Sequence, residues 1–335
     1  VKDISVAYNP SRRRILITGG AGFIGFQIAK NLAEVATDEI TIIDDLSKGK
    51  MDTALRELLD RHNVEFVQLD LAKEDAWSSI STDFDQIYHL AAVVGVTKVM
   101  AEPVDTLRVN TLSTLHMLEY VSQLASKPKV LFTSSCENYA GTVSAFGAQI
   151  PTPEDVPLCI EDPFNPRWTY ACSKILGEIA CIQYSQRFAF DTTIVRYHNV
   201  YGPRMGTDHV IPHFIQRLTE QRDVFDIFGG DQFRTFCFVD DAAQMTINLM
   251  NTNEASGRVV NVGDDQNHIR IDTLAKMLFK TAGIDPVLNE CGAPEGSVAD
   301  RKPDLNLIRE LHCDVQSTPL SRGLRDTFSW YYEKS

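Results

Sequence analysis

Residues 14–25, RILITGGAGFIG, join a short apolar run to a segment of helical spacing through a glycine-rich turn. The run Arg14–Thr18 predicts a β-strand, and the spacing over 23–35 predicts the helix that follows it. The glycines match G-x-x-G-x-x-G, a spacing that permits a tight turn and a close approach of the backbone to a pyrophosphate at the helix N-terminus. We therefore predict a dinucleotide site whose contact residues in this turn are Gly19, Gly22, Phe23, Ile24 and Gly25.

Strand-length apolar runs and helical segments keep alternating after this turn, which is typical of βαβ units and a parallel sheet. Further strands are predicted at Glu39–Ile43, Glu65–Leu69, Gln86–Leu90, Lys129–Thr133, Thr192–Val195 and Thr235–Val239. The predicted fold class is α/β, a Rossmann-type doubly wound parallel sheet with a smaller C-terminal α/β substrate-binding region. We expect residues 12–196 to form the NAD-binding domain, with a return segment near 233–255, and residues 197–232 and 256–335 to form the substrate-binding region.

The second strand ends in a carboxylate that can select the cofactor. Asp44 lies 19 positions after Gly25, where an acid accepts hydrogen bonds from both ribose hydroxyls and repels a 2′-phosphate. This position predicts NAD as the cofactor and disfavours NADP. Asp70 and Leu71, at the end of the third strand, are further candidates for contact with the adenine side of the cofactor, although Asp70 equally suits a turn.

Composition excludes several other classes of protein. The 335 residues carry 32 Lys and Arg against 45 Asp and Glu, a net charge of −13, and no basic run suited to nucleic acid. Seven cysteines without a C-x-x-C pair signal neither a disulfide framework nor a zinc site, and they favour a reducing cytoplasm. His209 and His213 have metal-site spacing but are separated by Pro212, so we assign no metal. No apolar stretch is long enough to cross a membrane.

A tyrosine and a lysine with helical spacing form the candidate catalytic pair. Tyr170 and Lys174 are four residues apart, so both project from one helical face. A lysine ammonium, helped by the positive nicotinamide ring, stabilises a phenolate and lowers the pKa of the tyrosine, which can then take a hydroxyl proton. Ser135 follows a strand that is expected to end beside the nicotinamide, and its hydroxyl can hold the same substrate oxygen.

Taken together, these motifs resemble those of the extended short-chain dehydrogenases, the NAD-dependent nucleotide-sugar epimerases and dehydratases. The resemblance runs from about Arg14 to Trp330 and includes the YHLAA segment at 88–92 and the HNVYGPR loop at 198–204. It implies tightly held NAD, a nucleotide-diphosphate sugar substrate, a transient 4-keto sugar, and a homodimer built on helices near 103–124 and 170–186. It also implies that Asn199, Arg234 and Arg301 bind the substrate, which would supply local positive charge in an acidic chain.

Glu137 is the residue that bears on the reaction. Ser135-Cys136-Glu137 and the PRWTYACSK segment at 166–174 resemble UDP-glucuronate decarboxylases and UDP-apiose/xylose synthases. That resemblance places Glu137 beside the sugar and Arg301 against the substrate carboxylate. Ser135, where those enzymes usually have Thr, and Ala140-Gly141, where Gly-Asp is common, depart from the pattern.

Other reactions stay open at the level of sequence. Sugar 4,6-dehydratases also carry a glutamate at the position of Glu137. The HNVYGPR loop is shared with 4-epimerases and with GDP-mannose 3,5-epimerases, but the latter place a cysteine there, and Cys136 is one residue out of register. An NAD-binding sensor protein without turnover is a more distant alternative. Such proteins usually lose the Tyr or the Lys, and this sequence has both Tyr170 and Lys174. A UDP-glucuronate decarboxylase-like activity is the preferred hypothesis.

Overall fold

The fold of the chain confirms the predicted α/β class. The structure is a computed structural model, and it describes residues 12–147, 149–220, 223–293 and 298–332. A seven-stranded parallel sheet lies at its centre, with strands in the order β11-β6-β5-β4-β1-β2-β3. The strands are β1 Arg14–Thr18, β2 Glu39–Asp44, β3 Val64–Gln68, β4 Gln86–His89, β5 Lys129–Ser135, β6 Thr192–Tyr197, β7 Val200–Tyr201, β8 Val224–Phe228, β9 Phe233–Thr235, β10 Cys237–Phe238, β11 Val259–Val262, β12 His268–Arg270, β13 Val287–Cys291 and β14 Asp300–Arg301.

Helices cover both faces of this sheet. They are α1 Phe23–Leu32, α2 Thr53–Leu59, α3 Val96–Ala101, α4 Pro103–Gln123, α5 Ala140–Phe146, α6 Trp168–Phe188, α7 Val210–Glu220, α8 Val239–Asn251, α9 Ile271–Ala282, α10 Asn306–Glu310 and α11 Leu320–Tyr332. None of the helices in the described ranges is both long and apolar enough to span a bilayer.

Strand order explains where ligands bind. β1 lies between β2 and β4, because β2 and β3 are added on one side of β1 and β4 to β6 on the other. This change of side leaves a crevice beyond the carboxyl ends of β1 and β4. In doubly wound sheets this reversal is the usual ligand site. Thr18, the last residue of β1, pairs with His89 on β4 and with Ile43 on β2, which sets the glycine-rich turn at the mouth of the crevice.

Several element boundaries differ from the expected ones. The first helix ends at Leu32 instead of residue 35, and the strand predicted at 235–239 is divided into β9 and β10. The sheet takes its seventh strand from Val259–Val262, which lies beyond the return segment expected near 233–255. That strand pairs with β6, and its largely buried sequence VVNV fits a covered parallel strand.

A smaller β-structure in the C-terminal part orients two arginines. β9 pairs in parallel with β14 and antiparallel with β12, and the register places Arg234 of β9 opposite Arg301 of β14. A separate apolar core beneath it is formed by residues of α7, α9 and α11, among them Phe214, Leu278 and Leu324. The small sheet therefore holds its two arginines over a packed base, beside the ends of the central strands.

Candidate active site

Two glycines of the first turn have no room for a side chain. Gly19 has a φ of +70°, and a Cβ there would lie 2.8 Å from the backbone nitrogen of Ala91. A Cβ at Gly25 would collide with the carbonyl oxygen of Gly19. The turn therefore presents bare backbone at the N-terminus of α1, where Phe23 and Ile24 are the first two helical residues. This is the arrangement that a pyrophosphate requires.

Asp44 is the buried carboxylate at the end of β2. Its Oδ2 accepts a hydrogen bond from the backbone N–H of Ala21 at 3.1 Å, and its Oδ1 accepts one from Leu46 at 2.9 Å. Burial raises the pKa of Asp44, although these backbone hydrogen bonds oppose the rise. Asp44 is thus fixed against the glycine-rich turn, and the polypeptide fits NAD: a ribose-binding acid and a pyrophosphate-binding turn lie side by side.

Asp70 and Leu71 follow β3 but differ in their surroundings. Asp70 accepts a hydrogen bond from the backbone N–H of Ala72 at 3.0 Å, so it closes a turn. Leu71 is buried in one of the two cores that flank the central sheet. Contact of either residue with the adenine stays a prediction.

The candidate catalytic pair lies on α6 as the spacing predicted. Lys174 is buried, its Nζ donates a hydrogen bond to the carbonyl oxygen of Thr133 at 2.9 Å, and it lies 5.9 Å from the ring centroid of Tyr170. Ser135 ends β5, and its side chain is close enough to Tyr170 to lower the pKa of the phenol. The structure therefore brings Ser135, Tyr170 and Lys174 together at the carboxyl end of β5.

Burial dominates the acid–base properties of this pair. It lowers the pKa of Lys174 to about 8. Burial also raises the pKa of Tyr170, and the hydrogen bond with Ser135 only partly opposes that rise. In the polypeptide alone burial outweighs the other influences on the pKa of Tyr170. Lowering of this pKa by Lys174 together with the nicotinamide ring stays a prediction. The positive nicotinamide ring is the further charge that this chemistry needs.

Glu137 lies in the 3₁₀ turn Cys136–Tyr139 and is held by arginines. Its two oxygens accept hydrogen bonds from Arg301, from Nη1 to Oε1 and from Nη2 to Oε2 at 3.1 Å. Nη2 of Arg167 lies 3.6 Å from Oε2. Burial opposes ionisation of Glu137, but the two arginines outweigh it and lower the pKa of Glu137 to about 2. Arg167, which sequence reasoning missed, directly precedes the helix that carries Tyr170.

The other two candidate substrate residues adjoin this cluster. Burial and the charge of Arg301 lower the pKa of Arg234 to about 10. Arg234 donates hydrogen bonds to the carbonyl oxygen of Phe233 at 2.7 Å and to Gln232 Oε1 at 2.9 Å. Asn199 has a φ of +40°, and its buried amide nitrogen has no hydrogen-bond partner within the described part of the chain. The side-chain amide of Asn199 is thus available to donate a hydrogen bond to a ligand.

A fully buried polar network holds the Ser135–Glu137 segment in place. Arg196 on β6 donates from Nε to Glu178 Oε1 at 2.9 Å and from Nη2 to Oε2 at 2.6 Å. Glu178 also accepts from Ser134 at 2.5 Å and from Asn138 at 2.8 Å, two residues that flank the Ser135–Glu137 segment. The sequence carried a signal for this: Tyr170, Lys174 and Glu178 are spaced by four and share one helical face.

The loop after β6 is joined to the glycine-rich turn by Arg204. This residue, at a φ of +70°, pairs with Asp52 and donates to the carbonyl oxygen of Ala21 at 3.0 Å. Its guanidinium lies 4.0 Å from the ring centroid of Phe26 on α1. The loop that carries Asn199 and the turn that faces the cofactor are therefore connected directly.

The Ala140-Gly141 departure has a packing explanation. A Cβ at Gly141 would collide with the carbonyl oxygen of Cys159, and the Trp168 ring is also close. Trp168 packs with Ala140 and Ala171 in a small apolar cluster. An aspartate at 141 is therefore incompatible with the path of the chain near residue 159.

A small cavity opens beside these groups. Its lining includes Arg301, Asp300, Cys136 and His198. Burial lowers the pKa of His198 to about 4, so His198 is neutral at physiological pH. No group of three or more His, Cys, Asp or Glu side chains in the described ranges is arranged to hold a metal ion.

The sheet order, the glycine-rich turn and Asp44 define a Rossmann-type, dinucleotide-binding enzyme class. Within that class the chain belongs to the NAD dependent epimerase/dehydratase family, whose sequence profile matches residues 15–263. This confirms the predicted family, its enzymatic character and NAD as the cofactor.

Relatives with several activities resemble the whole chain. A UDP-N-acetyl-alpha-D-glucosaminuronate decarboxylase of Bacillus cytotoxicus is 30% identical over 96% of this chain and 98% of its own length. UDP-glucuronic acid decarboxylase 1 of Xenopus tropicalis is 29% identical over 96% of this chain and 72% of its own length. The solved structure of UDP-glucuronic acid 4-epimerase from Bacillus cereus, in complex with UDP-glucuronic acid and NAD, has a TM-score of 0.84 at 26% identity, covering 96% and 100% of the two chains.

Proposed function

We propose that the protein is an NAD-dependent nucleotide-sugar enzyme that decarboxylates a UDP-hexuronate, with UDP-glucuronate as the best candidate. The observation that carries this proposal is the arginine cluster at the catalytic turn. Arg301, Arg167 and Arg234 lie around one carboxylate, Glu137, in a chain of net charge −13. Such a local excess of positive charge suits a substrate that brings both a diphosphate and a carboxylate.

The residues of the site fit the steps of this reaction. Tyr170 takes the proton of the sugar 4-hydroxyl, and Ser135 holds the same oxygen. NAD, held by the glycine-rich turn and Asp44, would supply the hydride acceptor for C4. The 4-keto product is a β-keto acid with respect to C6. The C5–C6 bond therefore breaks, CO₂ leaves, and the electron pair of that bond stays on the sugar as the C4 enolate. Asn199 and Arg234 would hold the diphosphate. Glu137 would deliver the proton to C5 that completes the step.

The named activities of the relatives support the same substrate class. Two relatives are decarboxylases whose names contain acidic sugars, and the structural neighbour binds UDP-glucuronic acid. That neighbour is a 4-epimerase, so a UDP-hexuronate 4-epimerase is the second candidate. An epimerase would also use Tyr170 and Lys174, but it would return a product of unchanged mass.

Mass spectrometry of the product decides between the two reactions. The purified protein is incubated with UDP-glucuronate and excess NAD, and a UDP-pentose or UDP-4-keto-pentose with loss of CO₂ is expected. The Tyr170→Phe variant should keep its fold and lose turnover by about a hundredfold or more. Intact UDP-glucuronate at long times would contradict decarboxylation, and an isomer of equal mass would establish the epimerase.

A homodimer and a cytoplasmic location complete the proposal. α4 and α6 pack together and carry exposed apolar side chains, Val104 and Leu107 on α4 and Leu176 and Ile179 on α6. Seven free cysteines support a reducing compartment. Light scattering of the wild type and of Ile179→Asp should show a dimer and a monomer respectively.

A further inference from the structure

Arg301 is already occupied by a carboxylate of the protein itself. Both of its terminal nitrogens bond to Glu137, one to each oxygen. A substrate carboxylate that uses the same planar fork must therefore displace Glu137, because a guanidinium binds one carboxylate in this two-point manner along that edge. Asp300, an acid that lines the cavity, pairs with Nε2 of His268 at 2.7 Å instead.

Arg167 is placed to receive the displaced glutamate. Its Nη2 already lies 3.6 Å from Glu137 Oε2, within ion-pair distance, so Glu137 can stay paired with Arg167 when it leaves Arg301. Arg167 directly precedes α6, whose third residue is Tyr170. The side chain of Arg167 is about one quarter exposed, which leaves it room to adjust.

We propose a carboxylate exchange in which an acidic substrate takes Arg301 from Glu137 while Arg167 takes Glu137, which makes Arg167 a positioning residue for acidic sugars. The exchange rests on the proposed function only in requiring a sugar carboxylate; it does not require that CO₂ be lost. Once Glu137 exchanges the closer arginine for the farther one and faces a second carboxylate, its pKa rises. That change favours proton donation by Glu137 after the substrate has bound.

Binding to an NAD-loaded, inactive parent tests the exchange. In the Tyr170→Phe background, calorimetry compares UDP-glucuronate with UDP-glucose, which lacks the carboxylate. Glu137→Gln removes the competitor for Arg301, so the affinity for UDP-glucuronate should rise about tenfold, while that for UDP-glucose changes less than about twofold. Unchanged or weaker binding of UDP-glucuronate by this variant overturns the exchange.

A double-variant cycle tests the part assigned to Arg167. Arg167→Met should weaken UDP-glucuronate binding about tenfold and leave UDP-glucose unaffected, because Glu137 then stays on Arg301. In the Glu137→Gln background the same substitution should have less than about a twofold effect. If Arg167→Met weakens UDP-glucuronate binding equally in both backgrounds, Arg167 acts on the substrate or the fold directly and the exchange is wrong. Circular dichroism of each variant verifies folding.

The exchange and the decarboxylation can fail separately. If wild-type enzyme returns UDP-glucuronate with unchanged mass while the cycle behaves as expected, the exchange stands and the proposed reaction is wrong. If the Tyr170→Phe parent binds UDP-glucuronate no better than UDP-glucose, the exchange fails, whatever reaction the enzyme performs.

Discussion

Glu178 and Glu137 each accept two hydrogen bonds from one guanidinium, but the two pairs have different surroundings. The side chains of Glu178 and Arg196 are 4% and 5% exposed, and Ser134, Asn138 and Tyr139 complete their hydrogen bonds. The side chains of Glu137 and Arg301 are 33% and 12% exposed, and Arg301 lines a cavity. The same chemical pair thus fixes the backbone where it is enclosed and stays exchangeable where it faces a ligand site.

The largest expected effect comes from breaking the enclosed pair. Glu178→Gln leaves the buried guanidinium of Arg196 without its counter-charge, so the free energy of unfolding should fall by about 3–5 kcal/mol. Denaturant unfolding measures this. If Glu178→Gln loses turnover but keeps its free energy of unfolding, the Glu178–Arg196 pair does not differ from the Glu137–Arg301 pair in the way described.

Breaking the cavity pair should have the opposite profile. Glu137→Gln should lower kcat about a hundredfold, because the proton donor is lost. Its free energy of unfolding should fall by only about 1 kcal/mol, because the side chain of Glu137 is one third exposed to solvent. Steady-state kinetics and the same denaturant titration measure both quantities, and the contrast fails if Glu137→Gln unfolds as readily as Glu178→Gln.

Acid tests the buried histidines separately from the two ion pairs. Burial lowers the pKa of His198 to about 4 and of His89 to about 3, whereas Glu137, with a pKa of about 2, stays ionised through this range. Neutral buried histidines contribute no pH dependence above pH 6.5, and stability is lost as the pH falls from 6.5 toward those values. Near pH 5 the loss should be on the order of 2 kcal/mol for each histidine.

Thermal unfolding between pH 7.5 and pH 4.5 measures this loss. His198→Gln should have a shallower dependence on pH than the wild type. A stability that is flat from pH 6.5 to pH 5 would mean that the histidines are not buried as described.

The smallest effect is expected at a pair on the surface. Arg309 donates two hydrogen bonds to Asp265, but the Arg309 side chain is 42% exposed. Asp265→Asn should change the free energy of unfolding by less than about 0.5 kcal/mol. A larger change would show that hydrogen-bond geometry, not burial from solvent, decides how much an ion pair stabilises this protein, which would weaken the comparison of the Glu178 and Glu137 pairs.

The sequence was a good guide to local pattern and a poor guide to electrostatic partners. The glycine-rich turn, Asp44 and the Tyr170–Lys174 spacing each depend on residues close in sequence, and each occupies the expected element. The pairing of Glu137 with Arg301 spans 164 positions and depends on the register of β9 and β14. No local pattern encodes that register, so the sequence suggested both residues but not their contact.

Tyr170 shows the same limit in its titration. Spacing placed Lys174 beside it, but the pKa of Tyr170 depends on burial by elements distant in sequence, and burial proved the larger influence. Arg167 was missed because an arginine just before a helix is usually a solvated residue. Only the folded position of Glu137 gives Arg167 a partner in the site.

The link from Arg204 to Asp52 and Ala21 bears on how long the cofactor stays bound. Opening the glycine-rich turn would require a largely buried ion pair and the contact with the Phe26 ring to separate first. We therefore expect slow release of NAD. A reaction that oxidises and then re-reduces the same sugar leaves the dinucleotide as it began, so slow release places no limit on the rate. The protein can therefore work through many cycles on one bound molecule of NAD.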